Sequence, residues 1–530
     1  MSQCIMKTFQ TVKSASVKFC LYRNSISLVL WKKHICDSCE WDIKYVQTAK
    51  VSTVVQRSAA AYRKNANNYW KSVKSAKRSL HGNHPLASQL DPWPGPMDGY
   101  KEDAQALGQH PFTFSRQVVA ICVYPELIHH PALPEDAKER ARRILQHCNG
   151  GSVGSYSDSK GNSYIRSSVA KYIEQRDGGI SSNPDKVYVM GGATEIISNV
   201  LKVFTSDRGT DQAGALVPVP HYPMYSHVAA LNNMVRVDYY LHEDSRWSLQ
   251  VEELRTALYK SRKYCKPKLL CIINPGNPTG QILSPQCIED AIRFAEEEHL
   301  AILADEVFQS AVHKPNCEFY SVKKVLHGMG PKYYNNIELI SVNSISKSYM
   351  AETGMRGGYM ELLNIDPNAE ECWYEMLSAH SCATLAAQIT LDVISDPPQP
   401  GDLSYDTFEQ EKMTVLMAMS ENAKLTEETL NTLTGIQCLP IEATNYAYPR
   451  IELPEKAVTC AKSQSIEPDV FYCKKLMSET GISLLMPGSL FGQKEGTYHY
   501  RMTIPPGKEM LKIMLTKIKD FHQKFLQDYS

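Results

Sequence analysis

The chain contains 530 residues, of which 43% are hydrophobic and 22% are charged. A chain of this length and composition can bury a sizeable core, and we predict a folded protein of two domains with extensions. Because 57 Lys and Arg residues balance 57 Asp and Glu residues, no global field favours nucleic acid or a membrane, and we expect a small-molecule ligand and neither of those partners.

Residues 1–90 differ from the rest of the chain in being basic. No Asp or Glu precedes Asp37, whereas Lys, Arg and Ser alternate with apolar residues. This composition is typical of a mitochondrial transit segment, which predicts the mitochondrial matrix; a disordered basic tail on a cytoplasmic protein is the alternative. Cys36 and Cys39 are the only close pair among fifteen cysteines, so we expect reduced thiols and no metal site.

Past a proline-rich boundary at 91–96, apolar runs alternate with segments of helical periodicity. The runs that predict buried strands lie at 187–190, 215–219, 269–273, 300–304 and 337–342. Ser284 and Pro285 predict the N-cap and the first residue of one intervening helix. Continuous apolar strands that alternate with amphipathic helices indicate an α/β sheet covered on both faces.

Polar motifs follow four of these predicted strands. They are the helix start at Gly192, Ala193 and Thr194, then Asn277, Asp305 and Lys347. In open α/β sheets ligands bind outside the carboxyl ends of the strands, so we expect the four motifs to converge in one crevice. A proline-rich stretch at 396–401 interrupts the pattern, and we predict a smaller domain from there to the C terminus.

These residue types suit pyridoxal phosphate. The Lys347 amine can form a Schiff base with the aldehyde, and Ser344 and Arg356 can hold the phosphate. The N–H groups of the helix that starts at Gly192 can also bind the phosphate, and Asp305 can keep the ring nitrogen protonated. Structural alternatives exist, because a serine-flanked lysine is usually solvated, and glycine and aspartate after a strand often form turns.

Three further residues are candidates for the same site. Asn277 can donate to the phenolic oxygen of the cofactor, although its sequence context also suits a plain β-turn. Tyr222 can stack on the ring, although an aromatic residue after a strand more often belongs to the core. Arg501 lies within an apolar, strand-like run and requires a carboxylate, which is either the α-carboxylate of a substrate or an internal partner.

Together these motifs resemble the class I and II aminotransferases of fold type I, most closely their alanine aminotransferase subfamily. The resemblance extends from about residue 103 to the C terminus and is carried by residues 103–109, 274–280, 304–307, 356–361 and 495–504. It implies an α/β protein with a mostly parallel sheet between helices in a large domain, and a smaller α/β C-terminal domain. The implied divisions are an N-terminal arm with part of the small domain at 91–164, the large cofactor-binding domain at 165–395 and the small domain at 396–530.

The resemblance also implies a role for each candidate residue. Lys347 is expected to bond to pyridoxal phosphate and, once displaced by the substrate, to move the proton between the substrate and cofactor carbons. Asp305 is expected to contact the ring nitrogen, Asn277 the phenolic oxygen and Tyr222 the ring face. The phosphate is expected to contact Ser344, Arg356, Gly192, Ala193 and Thr194.

Two expectations concern the substrate and the assembly. Arg501 is expected to bind the substrate α-carboxylate, and Asn277 is expected to take part in substrate binding as well. Tyr156 is expected to reach the phosphate of a partner subunit, so the resemblance implies a homodimer. The implied reaction interconverts L-alanine and 2-oxoglutarate with pyruvate and L-glutamate.

Two residues depart from the family pattern. Phe308 replaces a tyrosine whose hydroxyl would donate to the phenolic oxygen, so we hypothesise a slower enzyme with a more basic Schiff base. Glu102 places a carboxylate where the substrate carboxylate would enter, which affects specificity or binding. The alternatives are a pyridoxal-phosphate enzyme of other amino-acid specificity, a lyase, or a catalytically impaired homologue that acts as a binding protein.

Overall fold

The computed structural model describes residues 103–205 and 212–530. The basic extension, Cys36, Cys39 and Glu102 lie outside these residues, so what we predict for them stays a prediction. No helix in the described ranges is long and apolar enough to cross a membrane. Across the same ranges, no three His, Cys, Asp or Glu side chains are grouped so as to hold a metal ion.

A seven-stranded sheet lies at the centre of the described chain. Its strands are β1 (Val187–Met190), β2 (Ala213–Val219), β3 (Val235–Tyr240), β4 (Lys266–Ile273), β5 (Ala301–Asp305), β6 (Leu339–Ser344) and β7 (Gly358–Leu363). They pair in the order β1-β7-β6-β5-β4-β2-β3, and β7 runs in the opposite direction to the other six. The predicted mostly parallel sheet is confirmed.

Several of the helices cover the two faces of this sheet, and helices occur throughout the described chain. Those before β5 are α1 (Thr113–Val123), α2 (Glu135–Gln146), α3 (Ser163–Arg176), α4 (Ala193–Val203), α5 (Met224–Leu231), α6 (Val251–Ser261) and α7 (Pro285–Glu297). Those after it are α8 (Val322–Gly328), α9 (Pro331–Tyr334), α10 (Pro367–Ser378), α11 (Leu385–Ser395), α12 (Tyr405–Leu430), α13 (Glu455–Ser463), α14 (Pro468–Thr480) and α15 (Lys508–Asp528).

Alternate residues of the buried strands pack into two separate cores. In β4, Leu269, Cys271 and Ile273 join the core that α4, α5 and α10 cover. Leu270 and Ile272 point to the other face, where α6, α7 and α8 cover them. Because both faces are buried, a strand such as β4 appears in the sequence as a continuous apolar run rather than an alternating one.

Local sequence explains where two of the helices begin. The Ser284 hydroxyl accepts a hydrogen bond from Cys287 N at 3.2 Å, and Pro285 is the first residue of α7, as the sequence predicts. Helix α4 starts directly after β1, at a turn where Gly192 has a φ of 110°. A residue with a Cβ is disfavoured in that conformation, so glycine permits the abrupt change from strand to helix.

The C-terminal part of the chain builds a further core. Its three-stranded sheet pairs β11 (Leu485–Pro487) with β12 (Tyr500–Thr503) and β12 with β9 (Tyr446–Ala447). A separate pair joins β8 (Ile436–Gln437) and β10 (Arg450–Ile451). Side chains of α12, α14 and α15 pack against these strands, which confirms the expected smaller α/β C-terminal part.

Candidate active site

Strand ends bring the predicted phosphate-binding residues together. Ser344 ends β6 and pairs with Gly358, the first residue of β7. An ideal Cβ built on Gly358 would lie 3.2 Å from Gly192 Cα and 3.3 Å from Ala193 N. The end of β6, the start of β7 and the N-terminus of α4 therefore lie within contact distance, and a helix N-terminus favours an anion.

Arg356 lies against the same helix start. Its Nη1 donates to Thr353 O at 3.0 Å and to the Ser346 hydroxyl at 3.4 Å. An ideal Cβ on Gly192 would lie 3.1 Å from Arg356 Nη2, so an added methyl group would crowd the guanidinium. Arg356 itself has a φ of 57°, an uncommon conformation for a residue with a side chain, which is often found at functional sites.

Asp305 ends β5 as a buried carboxylate. Its Oδ2 accepts a hydrogen bond from the Tyr225 hydroxyl at 2.8 Å, and its Oδ1 accepts one from Val307 N at 3.4 Å. Burial raises the pKa of Asp305 to about 6, while the bonds from Tyr225 and Val307 and the charge of Lys347 act in the opposite direction. A cationic group that faced this carboxylate would favour its ionised form further.

Lys347 lies half-buried in the connection between β6 and β7. Its Nζ donates to the Tyr446 hydroxyl at 3.1 Å. The same Nζ is 5.7 Å from the ring centroid of Phe308, so Phe308 occupies the surroundings of the amine without offering it a hydroxyl. Tyr446 was not among the residues that the sequence singled out.

Arg501 lies in β12 with 1% of its surface exposed. Its Nη1 donates to Asn277 Oδ1 at 3.0 Å and its Nη2 to Met486 Sδ at 3.2 Å. Its Cζ is 4.2 Å from the ring centroid of Tyr446 and 4.8 Å from that of Phe491. These four neighbours are neutral and orient the guanidinium, and the bond through Oδ1 leaves Asn277 Nδ2 to donate elsewhere.

The remaining predicted residues are Tyr222, Thr194 and Tyr156. Tyr222 lies half-buried just before α5 and packs beside the core on that face of the sheet. Thr194 lies exposed in the first turn of α4. Tyr156 lies at the surface, 76% exposed, and a contact with a partner subunit stays a prediction because one chain is described.

The segment 103–109 is fastened to the residues that follow Lys347. Gln109 Nε2 donates to Tyr349 O at 2.6 Å, and Gln105 Nε2 donates to Ala351 O at 3.3 Å. Arg116 strengthens this attachment through Gln105 and through an ion pair of 2.8 Å with the buried Glu352. The segment therefore forms one wall of the space around the Lys347 amine, together with Phe308.

The geometry fits pyridoxal phosphate. A recess that a Cβ on Gly192 would fill lies beside a guanidinium, a helix N-terminus and a serine at a strand end, which suits a phosphate. The buried Asp305 carboxylate suits a protonated ring nitrogen. Sequence reasoning predicted Asn277, which contacts Arg501, but missed Tyr225, Ser346, Tyr446, Met486 and Phe491. Of these five, only Tyr225 had a signal, since it lies three residues beyond Tyr222.

Comparisons with known proteins agree with this geometry. A family model described as aminotransferase class I and II matches residues 120–518. The chain is 52% identical over 428 residues to alanine aminotransferase 2-like of Danio rerio, with 81% of this chain and 78% of that protein covered. It is 48% identical over 428 residues to alanine aminotransferase 1 of Homo sapiens, with 81% and 86% covered.

A solved structure shares the fold. Alanine aminotransferase from Pyrococcus furiosus superposes with a TM-score of 0.66 at 18% sequence identity, and the match covers 90% of this chain and 100% of that chain. At this identity the likeness supports the architecture only.

Proposed function

The chain belongs to the class I and II aminotransferases, and on that premise we propose that it interconverts L-alanine and 2-oxoglutarate with pyruvate and L-glutamate. The observation that carries this proposal is that the Lys347 amine and the Arg501 guanidinium lie against the same residue, Tyr446. An amino-acid substrate presents an acidic α-hydrogen and a carboxylate on one carbon atom. An amine and a guanidinium held close together suit those two groups.

The residues described above would hold pyridoxal phosphate at five points. Lys347 would bind its aldehyde, Asp305 its ring nitrogen and Asn277 its phenolic oxygen, and Tyr222 would cover its ring. The phosphate would be held by Ser344, Arg356 and the helix start at Gly192, Ala193 and Thr194. When bound, the cofactor supplies an electron sink that stabilises negative charge at the substrate α-carbon.

The chain's own groups divide the remaining work. Arg501 binds the substrate α-carboxylate through two parallel hydrogen bonds, and Asn277 keeps the guanidinium in the plane required for that. Lys347 Nζ removes the α-proton of the bound amino acid and acts as the general base. Asp305, as a buried carboxylate, would keep positive charge on the ring nitrogen of the cofactor.

A spectroscopic experiment tests the proposed reaction. The purified protein is expected to be yellow, to lose its visible absorbance when L-alanine is added, and to recover it with 2-oxoglutarate. Lys347→Ala should abolish both the absorbance change and the activity, whereas Lys323→Ala, which removes a buried lysine paired with Glu361, tests for general destabilisation. A chromophore that ignores alanine and responds to another amino acid would redirect the proposal to that substrate.

A homodimer is part of the proposal. It is supported by Tyr156, which projects from the surface, and by exposed apolar side chains at Val123, Tyr124, Met413 and Met417. Light scattering measures the mass. Mixing Lys347→Ala with Tyr156→Ala subunits should restore activity if Tyr156 serves the partner's site, because the Lys347-containing site then receives an intact tyrosine. No recovery in a mixed dimer would contradict that role.

We also propose the domain divisions at 91–164, 165–395 and 396–530 and a mitochondrial location for the chain. The end of α11 at Ser395 supports the second division, and limited proteolysis there is expected to release a C-terminal fragment. The basic, acid-poor composition of residues 1–90 supports the location. A fusion of these residues to a fluorescent reporter should enter mitochondria, and a diffuse cytosolic signal would refute it.

A further inference from the structure

Tyr446 contacts both ends of the proposed site. Its hydroxyl accepts a hydrogen bond from Lys347 Nζ at 3.1 Å. Its ring face lies 4.2 Å from Arg501 Cζ, within the range of a cation–π interaction. Its side chain is fully buried. One aromatic residue therefore connects the amine and the guanidinium.

The surroundings of Tyr446 restrict its ring. Strand β9 pairs with β12 so that Tyr446 stands opposite Thr503, two residues from Arg501. Phe308 meets the Tyr446 ring edge-on, with centroids 5.8 Å apart. Phe491 lies 4.8 Å from the Arg501 guanidinium as well. Because a tyrosine has two side-chain torsions and this one is buried among these groups, its hydroxyl and its ring face are presented in a fixed relation.

We propose that Tyr446 is a positioning residue that sets the separation of the Lys347 amine and the Arg501 guanidinium. This inference rests on the proposed function, because it concerns the two groups that act on one substrate carbon. The hydroxyl orients the amine, and the ring orients the guanidinium. A small displacement of either group lowers the rate steeply, since proton transfer requires the reacting atoms to be aligned.

Tyr446→Phe removes only the hydroxyl. We expect kcat for alanine to fall about tenfold while KM stays within twofold of the wild-type value, because the ring still holds Arg501. In protein stripped of cofactor, reductive methylation of Lys347, measured by mass spectrometry of its peptide, is expected to be about threefold faster or more, since Nζ no longer donates to a hydroxyl.

Tyr448→Phe is the matched control. The Tyr448 hydroxyl is buried, two residues along the same segment, and has no hydrogen-bond partner among the described residues. Its loss is expected to leave kcat, KM and the methylation rate of Lys347 unchanged. The control separates the specific contact of Tyr446 from the general cost of removing a buried hydroxyl.

Tyr446→Leu removes the ring as well. We expect KM for alanine to rise about tenfold, because Arg501 loses the ring face that orients it. The rate of Lys347 methylation in Tyr446→Leu should equal the rate in Tyr446→Phe. If the leucine variant does not fold, Tyr446→Met, which fills more of the same volume with an adaptable side chain, takes its place.

Two results would overturn the proposal. One is a Tyr446→Phe variant with wild-type kcat, KM and methylation rate; the other is an equal loss in Tyr446→Phe and Tyr448→Phe. A wild-type protein that is inactive with alanine refutes the proposed reaction instead. The methylation measurement needs no reaction, so it still tests the contact between Tyr446 and Lys347 in that case.

Discussion

The two sides of the proposed site, which we call the phosphate side and the carboxylate side, are assembled in different ways. On the phosphate side, Gly192, Ser344 and Arg356 come together because backbone segments meet at strand ends. On the carboxylate side, Arg501 is oriented by side chains, among them Asn277 and Tyr446. The first side depends on backbone conformation and the second on packing between distant segments. Substitutions should therefore separate cofactor binding from substrate binding.

Arg501→Lys is expected to have the largest effect, on the carboxylate side alone. A lysine cannot bind a carboxylate through two parallel hydrogen bonds, so KM for alanine should rise about 100-fold. Cofactor affinity, measured by titrating stripped protein, should stay within twofold. Arg450→Lys, at a partly exposed arginine paired with Glu243, is the control and should change neither. A tenfold loss of cofactor affinity in Arg501→Lys would contradict the separation of the two sides.

Asp305→Asn should change stability and cofactor binding in opposite directions: the cofactor-free protein should become more stable, and it should bind the cofactor more weakly. Burial raises the pKa of Asp305 from 3.8 to about 6, so the folded, cofactor-free protein loses stability as the pH rises through that interval. At pH 8 the neutral asparagine should stabilise this form by up to about 3 kcal/mol. At pH 3 the two proteins should be alike.

The same Asp305→Asn variant should bind the cofactor about 30-fold more weakly, because no carboxylate faces the ring nitrogen. Urea unfolding at the two pH values measures the stability, and titration measures the affinity. Equal stability of wild type and variant at pH 8 would show that the buried carboxylate carries no such cost.

Gly192→Ala should break the phosphate side alone. Its Cβ would lie 3.1 Å from Arg356 Nη2 on a backbone with a φ of 110°, so cofactor affinity should fall about tenfold while KM for alanine is retained. Gly401→Ala is the control, since Gly401 has a φ of 102° with no atom within 4 Å of an added Cβ. Gly401→Ala therefore adds only the backbone strain of an alanine at a positive φ. If both variants bind the cofactor equally well, the close approach of Arg356 is not needed.

Phe308→Tyr should have the smallest effect of these substitutions, and it tests a residue that lies beside the Lys347 amine. The added hydroxyl supplies a donor near the Lys347 amine, where Phe308 has none. We expect the midpoint pH of the titration of the yellow chromophore to fall by about half a unit, which corresponds to less than one ordinary hydrogen bond. Spectra recorded from pH 5 to 10 measure it, and an unchanged midpoint would remove Phe308 as a cause of unusual basicity.

The sequence predicted those parts of the fold that depend on local or periodic signals. Continuous apolar runs identified β1, β2, β4, β5 and β6, and Ser284 with Pro285 identified the start of α7. Strand β3 was missed because its residues are unevenly buried. Strand β7 was missed because Gly358 opens it with a residue of low strand propensity.

Prediction of the site followed the same division. The proposed phosphate side has a signal in short motifs, since Gly192 and Arg356 each stand in a segment whose residue types suggest an anion. Tyr446 was not visible, because its partners Lys347 and Arg501 are distant in sequence and nothing in its own neighbourhood marks it. Contacts that arise from packing between remote segments leave no local pattern, so they had to come from the structure.

The reversal of β7 has a consequence for the spacing of Lys347 and Arg356. If β7 ran parallel to β6, it would begin at the opposite end of the strands. That end is about 20 Å away, the length of a six-residue strand, and the chain would need a crossover helix to reach it. Because β7 runs the other way, residues 345–357 need only turn round at the edge where the other strands end. That one connection carries both Lys347 and Arg356. A single insertion or deletion in it should therefore displace the Lys347 amine and the Arg356 guanidinium together.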